Sequence, residues 1–172
     1  MDNRYTVSIR KEINMRKAMY PGTFDPATIG HLDVIKRASS LFDHVYVVIM
    51  ENKNKRVTFS AQERLDMILQ IIQPFDNVSA MIGDGLTVDY AKQIGANILI
   101  RGIRAVMDYE FELQQATANM TLAPDIETVF LLTRPEYSFM SSSAVKEIAL
   151  NHGDISAFVP KLVLDMVNNK FK

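Results

Sequence analysis

Apolar runs alternate with amphipathic stretches along almost the whole chain. Lys17–Tyr20 (KAMY) predicts a short strand, and Leu32–Leu41 a helix with Leu32, Ile35, Ala38 and Leu41 on one face. Val45–Met50 (VYVVIM) is a continuous apolar run, the pattern of a strand buried on both faces. Ser60-Ala-Gln-Glu63 reads as a capping box opening a helix over Ala61–Gln73, which Pro74 ends. Val78–Met81 is a weaker strand, and Val88–Ile94 a helix that stops at Gly95, a residue suited to a left-handed cap. Ile98–Ile100 is a strand, Val106–Leu122 a long helix ending before Pro124, and Thr128–Leu132 the fifth strand. Ser141 or Ser142 can cap a helix through Leu150, and Pro160 opens the last one.

Five strands alternating with helices require parallel pairing through right-handed crossovers. The pattern therefore predicts an α/β fold with a single doubly wound, five-stranded parallel sheet. Residues 15–172 make up that domain, and 1–14 form an extension outside the core, with a short extra strand at YTVSI as the alternative. Met15 directly precedes the first strand.

A chain of 172 residues fits one domain with a full-sized core. A net charge of −1 supplies no basic excess to offset a phosphate backbone, so nucleic acid as a polymer is not an expected partner. It leaves room for a small anion in a local basic pocket. The absence of cysteine excludes disulfides, thiol catalysis and cysteine-ligated metals, and suits a reducing cytoplasm. No apolar run approaches the roughly 20 residues of a membrane span, and residues 1–14 lack the apolar centre of a signal peptide.

In a doubly wound sheet, ligands bind beyond the carboxyl ends of the strands. The chemically suggestive residues fall there. PGTFDPATIGH follows the first strand, ENKNK the second, RGIR closes or follows the fourth, and RPEYSFMSSS follows the fifth. Lys55, Arg101, Arg104 and His31 bring cations or donors, and Thr23, Ser141, Ser142 and Ser143 bring hydroxyls. Helix entrances at Gly30 and Ser142 add unpaired N–H groups and a positive dipole end, which together hold phosphate well. Such a crevice suits a polyphosphate. His31, in the first turn of a helix, sits in a field that disfavours its imidazolium and is expected to act as a neutral donor. A nucleotide-binding sensor using the same crevice without turnover is the alternative from another class.

Thr28-Ile-Gly-His31 with upstream Gly22-Thr-Phe-Asp25 resembles the (H/T)xGH signature of the nucleotidyltransferase superfamily, and Ser141-Ser-Ser143 resembles its second signature. Several branches share both, so these two imply nucleotidyl transfer from a nucleoside triphosphate and no more. YPGTFDP, ILIRGIRAVMDYEFELQQATANM from Ile98 and EYSFMSSSAVKEIA from Glu136 narrow the branch. Together they resemble bacterial phosphopantetheine adenylyltransferase over about residues 15–165. The RTxGISTT-like motif expected of a glycerol-3-phosphate cytidylyltransferase is absent, and a nicotinate mononucleotide adenylyltransferase would usually begin GGTFDP and lack RGIRAV.

The resemblance implies a Rossmann-like nucleotidyltransferase fold and transfer of AMP from ATP to 4′-phosphopantetheine, giving dephospho-coenzyme A and pyrophosphate with Mg²⁺ delivered alongside ATP. It implies that His31, Lys55 and Arg104 are catalytic. Thr23 then contacts both substrates, while Lys55, Thr87, Arg101 and Asn119 lie on the phosphopantetheine side. Phe24, Gly102, Ile103, Arg104 and Glu112 surround ATP, joined by Tyr137, Ser138, Phe139, Met140, Ser141, Ser142 and Ser143. It also implies a homohexamer, with coenzyme A as a candidate feedback inhibitor. Met140 stands where isoleucine or leucine is common, Thr87 where an apolar residue is frequent, and Lys53 where proline or serine often occurs.

Overall fold

Neighbouring residues of a strand project to opposite faces, and in this computed structural model that alternation builds two cores on one sheet. The structure describes residues 15–51, 56–104 and 106–172. The chain runs β1 (Lys17–Gly22), α1 (Ile29–Leu41), β2 (His44–Met50), α2 (Ala61–Ile72), β3 (Val78–Gly83) and α3 (Thr87–Gln93). It continues with β4 (Ile98–Ile103), α4 (Val106–Leu122), β5 (Glu127–Leu132), α5 (Ser142–Leu150) and α6 (Lys161–Lys170). A 3-10 turn at Pro135–Tyr137, which the apolar pattern does not predict, precedes α5.

Ala18, Tyr20, Val45, Val47, Ile49 and Ile100 face the larger core, where α1, α2, α5 and α6 cover them. Met19, Val48 and Leu99 face the smaller one, closed by Val88 and Ala91 of α3 and by Ala123 and Ile126 beyond α4. All pairings are parallel, in the order β3-β2-β1-β4-β5. Winding therefore reverses between β1 and β4, the position where a doubly wound sheet opens a crevice.

Here the opening has a specific cause. β1 stays paired with β2 as far as Gly22↔Ile49, and β4 with β5 as far as Ile103↔Leu132. Between β1 and β4, however, the register holds only Ala18↔Ile98 and Met19↔Leu99. The Lys17 carbonyl accepts the Asn97 N–H at 3.2 Å, so alternate residues 17, 19 and 21 turn their backbone groups towards β4. Residue 21 is proline and has no N–H to give. Pairing between the central strand β1 and its neighbour β4 stops there.

The strands run further than their apolar runs: β1 and β3 gain two residues each, and β4 gains Arg101, Gly102 and Ile103. The capping box is present, with Ser60 Oγ accepting the Glu63 N–H at 3.2 Å and Glu63 Oε2 accepting the Ser60 N–H at 2.6 Å. Ser141, rather than Ser142, caps α5, and Gly95 takes the left-handed conformation at φ 70°. Residues 1–14, with the alternative strand, and residues 52–55, with Lys53 and Lys55, lie outside the described residues.

Candidate active site

The turn after β1 is shaped by one unusual residue. Phe24 has φ 51°, a left-handed conformation that costs a bulky side chain about 1–3 kcal/mol. Its ring is buried and meets Tyr20 edge-on at 5.4 Å and His31 at 5.0 Å between centroids. Gly22 makes room for it: a Cβ there would stand 2.7 Å from the Phe24 ring. The Asp25–Pro26 bond that follows is cis.

Thr28 caps α1, and His31 takes the place that Glu or Gln holds in an ordinary capping box. The Thr28 N–H donates to His31 Nδ1 at 3.0 Å, and Thr28 Oγ1 accepts the His31 N–H at 3.4 Å. Because Nδ1 accepts, Nε2 carries the proton of the neutral ring, and His31 is one of the residues that line the cavity. Burial, and secondarily the charge of Arg104, push the imidazole pKa down to about 4. The ring is neutral at pH 7, as the sequence leads one to expect, but desolvation rather than the helix dipole is the leading cause.

The fork between β1 and β4 opens into a cavity of about 840 Å³. Thr23, Phe24, Gly30 and His31 line it from the first turn and helix, and Arg101, Gly102 and Arg104 from β4 and its end. Thr87 at the start of α3 and Glu112 on α4 close one side. Met140, Ser141, Ser142 and Ser143 close the other, at the N-terminus of α5. The structure thus brings together residues from five separate stretches of sequence.

The remaining expected residues stand elsewhere or outside the description. Ile103 is buried, and Tyr137 lies beside Gly30 at the end of the 3-10 turn. Ser138 Oγ donates to the Pro135 carbonyl at 2.8 Å, and Phe139 packs its exposed ring against Phe158 at 6.4 Å. Asn119, on the last turn of α4, is not among the lining residues. Lys55 falls within the undescribed stretch 52–55.

Polar contacts tie the walls to one another. Arg101 Nε lies 2.8 Å from Glu112 Oε2, so the two are an ion pair inside the cavity. Arg104 Nη1 donates to the Met140 carbonyl at 2.9 Å, and Ser142 Oγ to the Pro26 carbonyl at 2.8 Å. Ser141 Oγ accepts the Ala144 N–H at 3.0 Å, the N-cap bond of α5.

Arg56, Gln115 and Lys146 also line the cavity without having been singled out from sequence, and Asp25 and Thr28, quoted there only as letters of the signature, line it as well. Asp25 is 4% exposed and accepts from Lys146 Nζ at 2.7 Å, from the Phe59 N–H at 2.9 Å and from the Thr58 N–H at 3.0 Å. Burial raises its carboxyl pKa, but the Lys146, Phe59 and Thr58 hydrogen bonds together outweigh that and hold it below the ordinary value. Lys146 had a visible signal, four residues after Ser142 and so on the same face of α5. Asp25 stands in the first signature, but its pairing had no signal, since its partners lie 33 to 121 residues away.

The cytidylyltransferase-like family model matches residues 19–148 of this chain. A protein of Alkaliphilus metalliredigens named phosphopantetheine adenylyltransferase is 50% identical over 156 residues, covering 91% of this chain and 99% of its own length. A protein of the same name from Caldanaerobacter subterraneus subsp. tengcongensis is 47% identical over 158 residues, covering 92% and 99%. Another from Lachnoclostridium phytofermentans is 45% identical over 157 residues, covering 91% and 96%. Among solved structures, a candidate nicotinate-nucleotide adenylyltransferase from Vibrio parahaemolyticus superposes with a TM-score of 0.67 at 18% identity, over 92% of this chain and 98% of that one. That likeness concerns the fold.

Proposed function

The chain belongs to the cytidylyltransferase-like family and, within it, to the phosphopantetheine adenylyltransferases, and from this premise we propose how its crevice performs the reaction. AMP passes from ATP to 4′-phosphopantetheine, giving dephospho-coenzyme A and pyrophosphate in coenzyme A biosynthesis. The attacking phosphate monoester has a second pKa near 6 and is largely dianionic at neutral pH. It needs no protein base. The difficulty is bringing a dianion to the α-phosphorus of a polyanion, so catalysis is positioning plus charge stabilisation, by in-line attack without a covalent enzyme intermediate.

Nε2–H of His31 and the Thr23 hydroxyl donate to oxygens of the five-coordinate α-phosphorus. Arg104 and the N-terminus of α5 receive the departing pyrophosphate, alongside Ser141, Ser142 and Ser143. Arg101, with Lys55 from the stretch after β2, holds the incoming phosphate, and Glu112 keeps the Arg101 guanidinium in place beforehand. Thr87 and Asn119 belong to the pantetheine side. Gly102, Ile103, Phe24 and the segment Tyr137–Met140 belong to the nucleotide side. The observation that supports this reading most is the convergence of His31, Arg101, Arg104 and the α5 N-terminus on one cavity.

Among the described residues no group of three or more His, Asp or Glu side chains stands together as a metal site. Mg²⁺ is proposed to arrive as an ion carried by the triphosphate, where it would neutralise part of that group's charge. A homohexamer fits the apolar side chains that α4 leaves exposed, among them Phe111, Met120 and Leu122. Coenzyme A, which shares the pantetheine arm, is the proposed feedback inhibitor, and the cytoplasm the proposed compartment. Among the described residues no helix is long and apolar enough to cross a membrane.

Pyrophosphate release is measured with ATP or CTP and a panel of phosphorylated acceptors. ATP with 4′-phosphopantetheine is the expected productive pair. ATP binding without pyrophosphate formation on adding that acceptor would overturn the proposal in favour of a sensor.

A further inference from the structure

Outside the cavity walls, α2 buries a guanidinium that packing alone does not require. Arg64 is 2% exposed and spends its donors on main-chain carbonyls. Nε donates to Phe59 O at 3.0 Å and to Ser60 O at 3.3 Å, while Nη1 reaches across to Thr23 O at 2.9 Å. The other end of Phe59 is held too, because its N–H donates to Asp25 Oδ1. The contacts close a ring: Thr23, Phe24 and Asp25 along the chain, Asp25 to Phe59, Phe59 to Arg64, and Arg64 back to Thr23. Phe24, the residue in the left-handed conformation, is the middle member of its first side.

We propose that Arg64 is a positioning residue for adenylyl transfer, acting through the Thr23 carbonyl to hold Phe24, and through the Phe24 ring to set the imidazole of His31. A left-handed conformation at a bulky residue persists only where the surroundings over-determine it. Here the carbonyl before Phe24 and the carboxylate after it are both fixed. The Phe24 ring lies 5.0 Å from the His31 ring, so rotating the Phe24 backbone removes one wall of the imidazole's seat. The choice of arginine follows from its shape. A planar fork can serve acceptors on two segments at once, which a lysine ammonium on a flexible stem does poorly. Arg64 touches no reacting group, and the inference rests on the reading above that His31 donates to the α-phosphate.

The test compares Arg64→Lys, Arg64→Gln and Phe24→Gly with the parental protein in three measurements. Folding is checked by circular dichroism. Kinetics give kcat and the KM for ATP from pyrophosphate release. NMR of ¹⁵N-labelled histidine follows the His31 ring, assigned with His31→Gln. The expected result is a fall in kcat of about tenfold or more for both Arg64 variants, with the KM for ATP changed less than about threefold. The His31 nitrogen shifts should move, and Arg64→Lys should cost nothing further in kcat once Phe24 is glycine. Parental His31 resonances in a folded Arg64 variant, kcat within about twofold of parental, or full additivity of the two substitutions would overturn the inference. If neither Arg64 variant folds, Arg64→Met, which keeps the buried stem and drops the fork, takes their place under the same criteria. The NMR arm needs no turnover, so failure of the proposed reaction and failure of this coupling are told apart.

Discussion

His31→Gln should change how stability depends on pH, by an amount the structure lets one work out. The imidazole titrates at 6.5 when unfolded and at about 4 in the folded protein, chiefly because burial penalises the cation and then because Arg104 repels it. Between those values the unfolded chain binds a proton that the folded one refuses. Stability is therefore complete above pH 6.5 and falls as pH drops towards 4. The interval is about 2.5 pH units at about 1.36 kcal/mol each, so the loss attributable to His31 is about 3 kcal/mol. Glutamine is the apt replacement because its side-chain oxygen can still accept the Thr28 N–H and keep the capping box. Asp25, whose carboxyl is held below 3.8, loses its contribution only below that pH, outside the window. His44 and Glu63, both also lowered, are common to the two proteins and cancel in the difference. Urea unfolding of both proteins at half-unit steps from pH 8 to 4 gives the two curves. They should run parallel above pH 7 and converge or cross below it, the parental protein losing about 3 kcal/mol more. Curves that stay parallel down to pH 4 would show that the imidazole is not held neutral.

His31→Ala should lower kcat by about 10²–10³, the usual loss when one preorganised donor is removed, and near-normal pyrophosphate release would reject its role. Gly22→Ala should destabilise the fold by about 1–3 kcal/mol, because the new methyl group would stand 2.7 Å from the Phe24 ring; an unchanged urea midpoint would show that the ring can yield. Thr28→Ala should cost about 1 kcal/mol through loss of the N-cap and reduce kcat as well, with Thr28→Ser restoring both.

How legible this protein was depended on the range of the interaction involved. Helices read well because their signals are local: α4 has the limits its periodicity predicts, and Ser60 and Glu63 pair across three residues. Strand ends read short, since Pro21 and Gly22 look like breakers in a string of letters. In the sheet they still pair with Val48 and Ile49 on the side where no proline amide is required. The cavity itself was largely legible, because a doubly wound sheet sends residues after each strand to one edge, and His31, Arg101, Arg104 and Ser142 obey that rule. What could not be read was how the walls hold one another. Asp25 and Lys146 are 121 residues apart, and Arg64 and Thr23 41 apart; nothing in the string of letters pairs them until the chain is folded. The neutrality of His31 has a local ground that sequence shows, its helix dipole, whereas the tertiary burial that dominates it has no trace there.

The missing amide of Pro21 bears on what ligands find when they arrive. A sheet in which β1 and β4 could knit together along their whole length would present a sealed seam, and each arriving nucleotide would first have to unpick it. Here residue 21 has no hydrogen to offer across the gap, so that rung of the ladder cannot form, occupied or empty. The protein thus keeps a standing harbour between β1 and β4, and encounter can be followed directly by alignment of the two phosphates.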